Sequence, residues 1–152
     1  MEKIASFQVD HTRLTPGMYT SRTDGDVVTY DVRFIKPNTP PYLDPPVLHT
    51  IEHLVATYVR NSSHKDGVIY FGPMGCRTGF SLLTSGLSHS DAIVLIKETV
   101  RFIADYDGKI PGTEPKECGN YREHDLAGAK KLCADYYEKI KDWTEDKLAY
   151  TK

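Results

Sequence analysis

The segment His49-Thr50-Ile51-Glu52-His53 places two histidines four residues apart, with a carboxylate beside the second. On a helix, residues i and i+4 project from the same face about one turn apart, so both imidazoles can bind one divalent ion. Glu52 projects near that face, where its carboxylate can reach a bound water or a substrate without coordinating the ion. The alternative is an ordinary amphipathic helix that carries two half-exposed histidines.

A metal held by two histidines needs at least a third protein ligand. Glu98 and Glu117 are candidates, and a glutamate ligand would match the inverted zinc proteases, which share the HxxEH pattern. We favour Cys118, because it lies in a polar turn beside Gly119 just before a predicted helix, where a cysteine gains no core packing. Nearby helix-terminal amides or a metal can stabilise its thiolate there.

Two further cysteines have different surroundings. Cys76 lies in the turn Pro-Met-Gly-Cys-Arg-Thr-Gly, where Arg77 can stabilise a thiolate. It is either a reactive acid/base or nucleophile, or a small buried residue. Cys133 falls on the apolar stripe of a predicted helix and is expected in the core. Arg33, on the polar side of a predicted strand, either binds an anionic or hydroxyl-rich ligand or is an exposed sheet arginine.

The remaining candidates give weaker local signals. Ser6 and His11 lie on an N-terminal segment with strand-like alternation. His124 stands at a predicted helix start, where a surface or capping position is expected. His64 and His89 are expected to be loop or cap-proximal surface residues, and we assign them no role.

Hydrophobic periodicity predicts the elements that must position these residues. Alternation over residues 26–34 predicts a half-buried strand, and Asp24-Gly25 predicts a tight turn back to a strand near 17–22. Two more strands are predicted at 68–71 and 78–84, and helices at about 44–60, 88–106 and 124–143. This order predicts an α+β single domain over residues 1–152, an antiparallel sheet of about four strands with helices packed against it.

Composition narrows the function classes. The chain has 152 residues, 39% hydrophobic and 26% charged, which is typical of one globular domain. A net charge of -2 gives no electrostatic basis for binding nucleic acid or anionic membranes. No stretch has the apolar length of a membrane span or of a signal peptide, so we expect a cytoplasmic protein. Three cysteines argue against a disulfide framework.

Five stretches, taken in order, form a specific pattern. They are SFQVDHT (6–12), YDVRFIKPN (30–38), LHTIEHLVA (48–56), GPMGCRTGF (72–80), and CG followed by HDLAGAK within 118–130. In this pattern the chain resembles the S-ribosylhomocysteine lyase (LuxS) family over nearly its whole length.

The resemblance implies a bacterial, cytoplasmic homodimer with two equivalent active sites at the subunit interface. Each subunit would hold one divalent metal, natively iron(II), which zinc or cobalt can replace. The implied ligands are His49, His53 and Cys118, and the implied acid/base residues are Glu52 and Cys76. Ser6, His11 and Arg33 match substrate-contacting positions, and the partner subunit is expected to supply Ser6 and His11.

The implied reaction cleaves S-ribosyl-L-homocysteine to L-homocysteine and 4,5-dihydroxy-2,3-pentanedione, a precursor of a quorum-sensing signal, within the methyl cycle. It proceeds by successive carbonyl migrations and β-elimination of the thiol. The alternatives are an inverted HxxEH-type zinc metalloprotease with a glutamate as third ligand, and a metal-storing or sensing protein without catalysis.

Two positions depart from the family pattern. Members of the family commonly carry an acidic residue six positions before the catalytic cysteine and a serine just before Pro-Met-Gly-Cys. This chain has Tyr70 and Gly72 at those positions. Neither position is an implied ligand, so the departures leave the predicted reaction class unchanged and bear on turnover or substrate tolerance.

Overall fold

The structure is a computed structural model that describes residues 1–151. Over this range the strands are β1 (Gly17–Asp24), β2 (Val27–Arg33), β3 (Val68–Pro73) and β4 (Gly79–Ser85). The helices are α1 (Ala5–Gln8), α2 (Pro45–Arg60), α3 (His89–Ala104) and α4 (Leu126–Ile140), with 3-10 turns at Lys65–Gly67 and Glu145–Leu148. The predicted α+β class with a four-stranded antiparallel sheet is confirmed.

The sheet has the strand order β1-β2-β4-β3, and each neighbouring pair is antiparallel. The predicted hairpin joins β1 to β2, where Asp24 pairs with Val27 and leaves a two-residue loop. Gly25 in that loop has a φ of 59°, a left-handed conformation that glycine adopts without a steric penalty.

One face of the sheet packs against the helices. Residues alternate between the two faces of a strand, and Tyr30, Val32, Phe80 and Leu82 from the two central strands are fully buried on the helix side. The helices contribute their apolar stripes, among them Ile51, Leu54, Ile96, Val100, Cys133 and Tyr136. The predicted core position of Cys133 is therefore confirmed, and burial raises the pKa of its thiol.

The opposite face of β2 differs from the prediction. Arg33, predicted on the polar side of this strand, is only 4% exposed, and Asp31 on the same face is 3% exposed. Asp31 and Arg33 line a cavity that the N-terminal segment and Tyr150 also border. Chain segments outside the sheet therefore cover this part of its face. Arg33 is therefore a buried residue of a covered surface, and the alternative of an exposed sheet arginine is wrong.

The segment after α4 packs along β1, one of the two edge strands of the sheet. The indole nitrogen of Trp143 donates a hydrogen bond to the carbonyl oxygen of Met18 at 2.8 Å. A Cβ on Gly17 would lie 2.3 Å from the Trp143 ring, so this glycine is required for the close approach. This packing covers an edge that would otherwise be open to pairing with another strand.

Several predicted boundaries shift. The strand-like N-terminal segment instead forms the short helix α1, whose residues are all exposed, so its alternation does not correspond to a buried face. Helix α3 ends at Ala104, short of the stop predicted at Gly108. Helix α4 begins after Asp125, whose side chain accepts a hydrogen bond from the Gly128 amide at 2.9 Å.

Candidate metal centre and active-site cysteine

His49 and His53 lie side by side on α2, with their ring centroids 4.5 Å apart. The Nδ1 atom of His49 lies 2.8 Å from the carbonyl oxygen of Glu123, and that of His53 lies 2.8 Å from the carbonyl oxygen of Pro111. A carbonyl oxygen only accepts hydrogen bonds, so each Nδ1 is the protonated donor. Each Nε2 therefore carries a lone pair, the arrangement that metal-binding histidines need.

Cys118 joins the two histidines from the loop between α3 and α4. Its Sγ atom lies 3.3 Å from the Nε2 atom of His49 and 3.8 Å from that of His53. The HxxEH spacing predicted the two histidines, Cys118 was the favoured third ligand, and the fold brings their donor atoms together. Two imidazole nitrogens and one thiolate suit a divalent transition metal such as zinc or iron(II), so the donor set fits the implied metal.

His124 is a fourth member of this group, contrary to the surface or capping position expected from the sequence. The donor atoms of His49, His53, Cys118 and His124 all lie within 4.8 Å of one another, so the cluster can hold one metal ion. The His124 ring stacks on His49 with centroids 4.1 Å apart, and its buried Nε2 has no hydrogen-bond partner within the described chain. Burial, and then the two neighbouring histidines, lower the pKa of His124.

Hydrogen bonds to α2 explain the position of His124. The Thr50 hydroxyl lies 3.0 Å from the Nδ1 atom of His124 and accepts a hydrogen bond from the Asp125 amide at 2.9 Å. Asp125, not His124, is thus the N-cap residue of α4. The only sequence signal for His124 as a member of the cluster was its closeness to Cys118 in the same loop. A loop has no regular period, so its sequence does not predict where a side chain in it will lie.

The loop can approach α2 closely because of one glycine. Gly112 has a φ of 76°, and a Cβ at this position would lie 2.8 Å from the Nδ1 atom of His53. Any larger residue would therefore push the loop away from the Pro111–His53 hydrogen bond. Glu98 and Glu117 are exposed and lie outside the four-residue cluster, so neither glutamate is positioned as the third ligand.

Glu52 is half-buried beside the metal group. It lines a cavity of about 210 Å³ together with His53, Arg60, Tyr70 and Phe71. Glu52 therefore borders the same cavity as His53 but lies outside the four-residue cluster, as the helical spacing predicted.

The two departures from the family pattern are physically linked. A Cβ on Gly72 would lie 2.0 Å from the hydroxyl oxygen of Tyr70 and 2.4 Å from its Cζ atom. The Tyr70 side chain therefore occupies the space that a serine side chain at position 72 would need.

Cys76 belongs to a second group of side chains, at the end of the sheet. Its Sγ atom lies 3.1 Å from the Thr78 hydroxyl and 3.8 Å from the Nη1 atom of Arg33. Arg33 donates from Nη1 to the Thr78 hydroxyl at 2.7 Å and from Nη2 to the Asp31 carboxylate at 2.7 Å. A guanidinium and a hydroxyl therefore both contact the sulfur of Cys76.

The cation beside Cys76 is not the residue suggested by the sequence. Arg77 follows Cys76 directly, but its Nη1 atom points to the carbonyl oxygen of Leu43 at 3.4 Å. The guanidinium next to the sulfur is that of Arg33 instead. Cys76 itself is exposed, which excludes its interpretation as a small buried residue.

Ser6 and His11 lie with the Cys76 group of their own chain. Together with Arg33 and Cys76 they line a cavity of about 320 Å³. This cavity is distinct from the one that Glu52 and His53 line. The predicted site residues of one chain therefore fall into two groups, each extended by residues that the sequence did not indicate. The metal group has His49, His53 and Cys118, with Glu52 nearby, and the structure adds His124. The cysteine group has Cys76, Arg33, Ser6 and His11, and the structure adds Asp31 and Thr78.

Comparison with known proteins gives the family. Residues 4–147 match the family model described as S-Ribosylhomocysteinase (LuxS). The chain belongs to the LuxS family. It is 48% identical to the S-ribosylhomocysteine lyase of Porphyromonas gingivalis, over 99% of this chain and 99% of that protein. The enzyme of the same name from Phocaeicola vulgatus is 48% identical over 99% of this chain and 98% of its own length.

A more distant LuxS relative gives the same result. The S-ribosylhomocysteine lyase of Clostridium acetobutylicum is 44% identical over 99% of both chains. The predictions of the family and of a carbon–sulfur lyase are confirmed. Within the described LuxS chain, no helix has both the length and the apolar character that crossing a membrane requires.

Proposed function

We propose that this chain cleaves S-ribosyl-L-homocysteine to L-homocysteine and 4,5-dihydroxy-2,3-pentanedione by carbonyl migrations and β-elimination. The observation that carries the proposal is the convergence of the His49, His53 and Cys118 donor atoms in a chain of the LuxS family. Glu52 supports it, because it lines a cavity together with His53. By its family resemblance we place the enzyme in the bacterial cytoplasm. Its dione product would be the precursor of a quorum-sensing signal.

The proposed ligands are His49, His53 and Cys118, which would hold one divalent ion per subunit. Iron(II) is the proposed native ion, with zinc or cobalt able to substitute. When bound, the ion supplies Lewis-acid stabilisation for negative charge on the sugar oxygens. His124 adds a fourth nitrogen that faces the same space, and the two backbone carbonyls behind His49 and His53 keep both imidazoles in the binding tautomer.

Glu52 and Cys76 would move the protons. Carbonyl migration removes a proton from one sugar carbon and adds a proton to the adjacent carbon. This needs acid/base groups on both flanks of the substrate. Cys76 would accept such a proton as its thiolate, and Arg33 and Thr78 contact its sulfur. In the last step Glu52 takes the proton from C4. The electrons of that C–H bond form the C4–C5 double bond, and the homocysteine thiolate leaves C5.

We infer that the complete active site combines the metal group of one subunit with the cysteine group of the other. The two groups line different cavities of one chain. In the N-terminal segment that borders the cysteine cavity, Ile4 is 57% and Phe7 is 69% exposed, which suits a surface buried in a homodimer. Because Ser6 and His11 lie with Arg33 and Cys76, the partner subunit would supply all four residues.

The activity test uses anaerobically purified, iron-loaded protein. It is incubated with S-ribosylhomocysteine, and free thiol is measured with an aromatic disulfide. We expect thiol release that a chelator abolishes and iron(II) restores. Fully metallated protein that releases no thiol would contradict the proposed function, and hydrolysis of a peptide library instead would favour the metalloprotease.

Mixed dimers test the composite site. His49→Ala and Cys76→Ala proteins, each inactive alone, are unfolded together, refolded at equal amounts and reloaded with iron. In a heterodimer one site carries both defects and the other carries none. Random pairing should therefore restore about one quarter of the wild-type activity per chain. If each site lay within one chain, no mixture would be active.

A further inference from the structure

The carboxylate of Asp31 is shared by two donors. Arg33 donates to its Oδ2 atom from Nη2 at 2.7 Å, and the hydroxyl of Tyr150 donates to the same oxygen at 2.7 Å. Asp31 and Arg33 are two residues apart on β2 and share the sheet face that lines the cysteine cavity. Tyr150 thus connects the end of the described chain to the group that contains Cys76.

The Asp31–Arg33 contact alone does not fix the guanidinium. It is a single-point contact, because the Oδ1 atom of Asp31 and the Nε atom of Arg33 are buried and have no hydrogen-bond partner within the described chain. A bidentate pair would lock the two planes together, whereas a single contact allows rotation about the bond. Further contacts must therefore orient both side chains, and these are Thr78 on Arg33 and Tyr150 on Asp31.

Tyr150 is itself firmly held. Its ring stacks on Tyr19 with centroids 5.1 Å apart and planes inclined by 18°. Just before it, Leu148 is buried and Trp143 is hydrogen-bonded to β1. Burial and then the nearby Asp31 carboxylate raise the pKa of Tyr150, so its hydroxyl stays protonated and acts as a donor at neutral pH.

We propose that Tyr150 is a positioning residue for Cys76, which it affects by holding Asp31 and, through Asp31, the guanidinium of Arg33 beside the thiol. Without the Tyr150 hydroxyl, the shared oxygen of Asp31 has Arg33 as its one remaining partner. Arg33 is then drawn towards Asp31, and its charge stabilises the Cys76 thiolate less. The proposal rests on the proposed function only in the role given to Cys76, because the contacts themselves are independent of any substrate.

The test measures thiol reactivity, which does not require lyase activity. Metal-loaded protein is alkylated with iodoacetamide over a range of pH, and modification of Cys76 is followed by peptide mass spectrometry. Cys76 lines the cavity of about 320 Å³ described above and a second one of about 300 Å³. The titratable groups that line these two cavities with the thiol are His11, Asp31, Arg33, Tyr42 and Tyr150. In Tyr150→Phe, which keeps the stacked ring, we expect the midpoint of the profile to rise by about 0.5 pH unit.

Tyr19→Phe is the matched control. It removes a hydroxyl from the same stacked pair, but that hydroxyl donates to the carbonyl oxygen of Thr15 at 2.9 Å and not to Asp31. We expect it to leave the midpoint unchanged. Equal shifts in both variants, or no shift in Tyr150→Phe, would overturn the proposal.

The pathway through Asp31 has its own test. In an Asp31→Asn background, adding Tyr150→Phe should cause no further shift, whereas an additional shift equal to that in the wild-type background would exclude Asp31 as the link. If Asp31→Asn does not fold, the comparison of Tyr150→Phe with Tyr19→Phe still tests whether the Tyr150 hydroxyl affects Cys76. A shifted profile in a protein without lyase activity would support the role of Tyr150 while contradicting the proposed function.

Discussion

The metal group and the cysteine group are oriented by different kinds of contact. Backbone carbonyls fix His49 and His53, and the four clustered donors include no carboxylate. In the cysteine group, side chains orient one another around a buried ion pair. The first group is suited to receive a positive charge from a bound ion, whereas the second carries its own cation next to the thiol.

The two groups also differ in how much of the chain they require. The hydrogen bonds of His49 and His53 span 74 and 58 residues and depend on the loop between α3 and α4. In the cysteine group, Asp31–Arg33 and Cys76–Thr78 are each two residues apart, and the sheet register brings the pairs together. A disturbance of the loop should therefore disable the metal group and leave the cysteine group intact.

Loss of a ligand should have the largest effect. We expect His49→Ala or Cys118→Ala to lose the bound ion and to reduce thiol release by at least about 1,000-fold, because the proposed reaction depends on the ion. Metal analysis after gel filtration measures the bound ion, and the thiol assay measures the activity. His64→Ala, a histidine outside the cluster, is the control and should retain both. One ion per chain in His49→Ala would exclude this histidine as a ligand.

Cys76→Ala should reduce activity without affecting the metal group. We expect the variant to keep one ion per chain while activity falls by about 100- to 10,000-fold, the range for loss of a general acid/base. Metal analysis and the thiol assay on one sample check both expectations. Activity within tenfold of wild type would contradict the assigned role, and loss of the ion would show that the groups are not independent.

His124→Ala should have a smaller effect on the metal group. We expect the affinity for the ion to fall by about 10- to 100-fold, as for other residues that support metal ligands. Competition with a chromogenic chelator measures the affinity, and the cobalt(II) absorption spectrum shows whether a ligand has changed. Thr50→Val, which removes only the hydroxyl beside His124, should weaken binding less. Unchanged affinity in His124→Ala would leave this residue a packing role.

Gly72→Ser should have the smallest effect. The new side chain displaces Tyr70 from the cavity that Glu52 and His53 line, so we expect a change in KM of about threefold. Adding Tyr70→Ala should cancel the steric part of this change. If Gly72→Ser changes KM by the same factor in the wild-type and Tyr70→Ala backgrounds, the two positions are not linked.

The sequence predicted the parts of the molecule that are periodic or local. The strands, helix α2 and the shared face of His49 and His53 follow from repeats of apolar residues that a folded core requires. Glu52 beside the cluster follows from the same helical spacing. The core position of Cys133 follows from an apolar stripe.

The parts that the sequence did not predict depend on contacts between distant segments. His124 reaches the cluster because α2 supplies Thr50 as a hydrogen-bond partner, and nothing near His124 indicates this contact. Arg77 is adjacent to Cys76 in sequence, but the turn points it towards Leu43 and the sheet register supplies Arg33 instead. The short helix α1 was missed because none of its residues is buried.

The contact between Trp143 and Gly17 provides an optical probe. The chain has one tryptophan, so its fluorescence emission reports on a single place in the molecule. Gly17 pairs with Arg33 across the sheet, which puts the indole one strand away from the guanidinium beside Cys76. Gly17→Ala would push the indole towards water and shift its emission to longer wavelength. Intrinsic fluorescence can therefore follow, without a label, whether the segment that carries Tyr150 is docked.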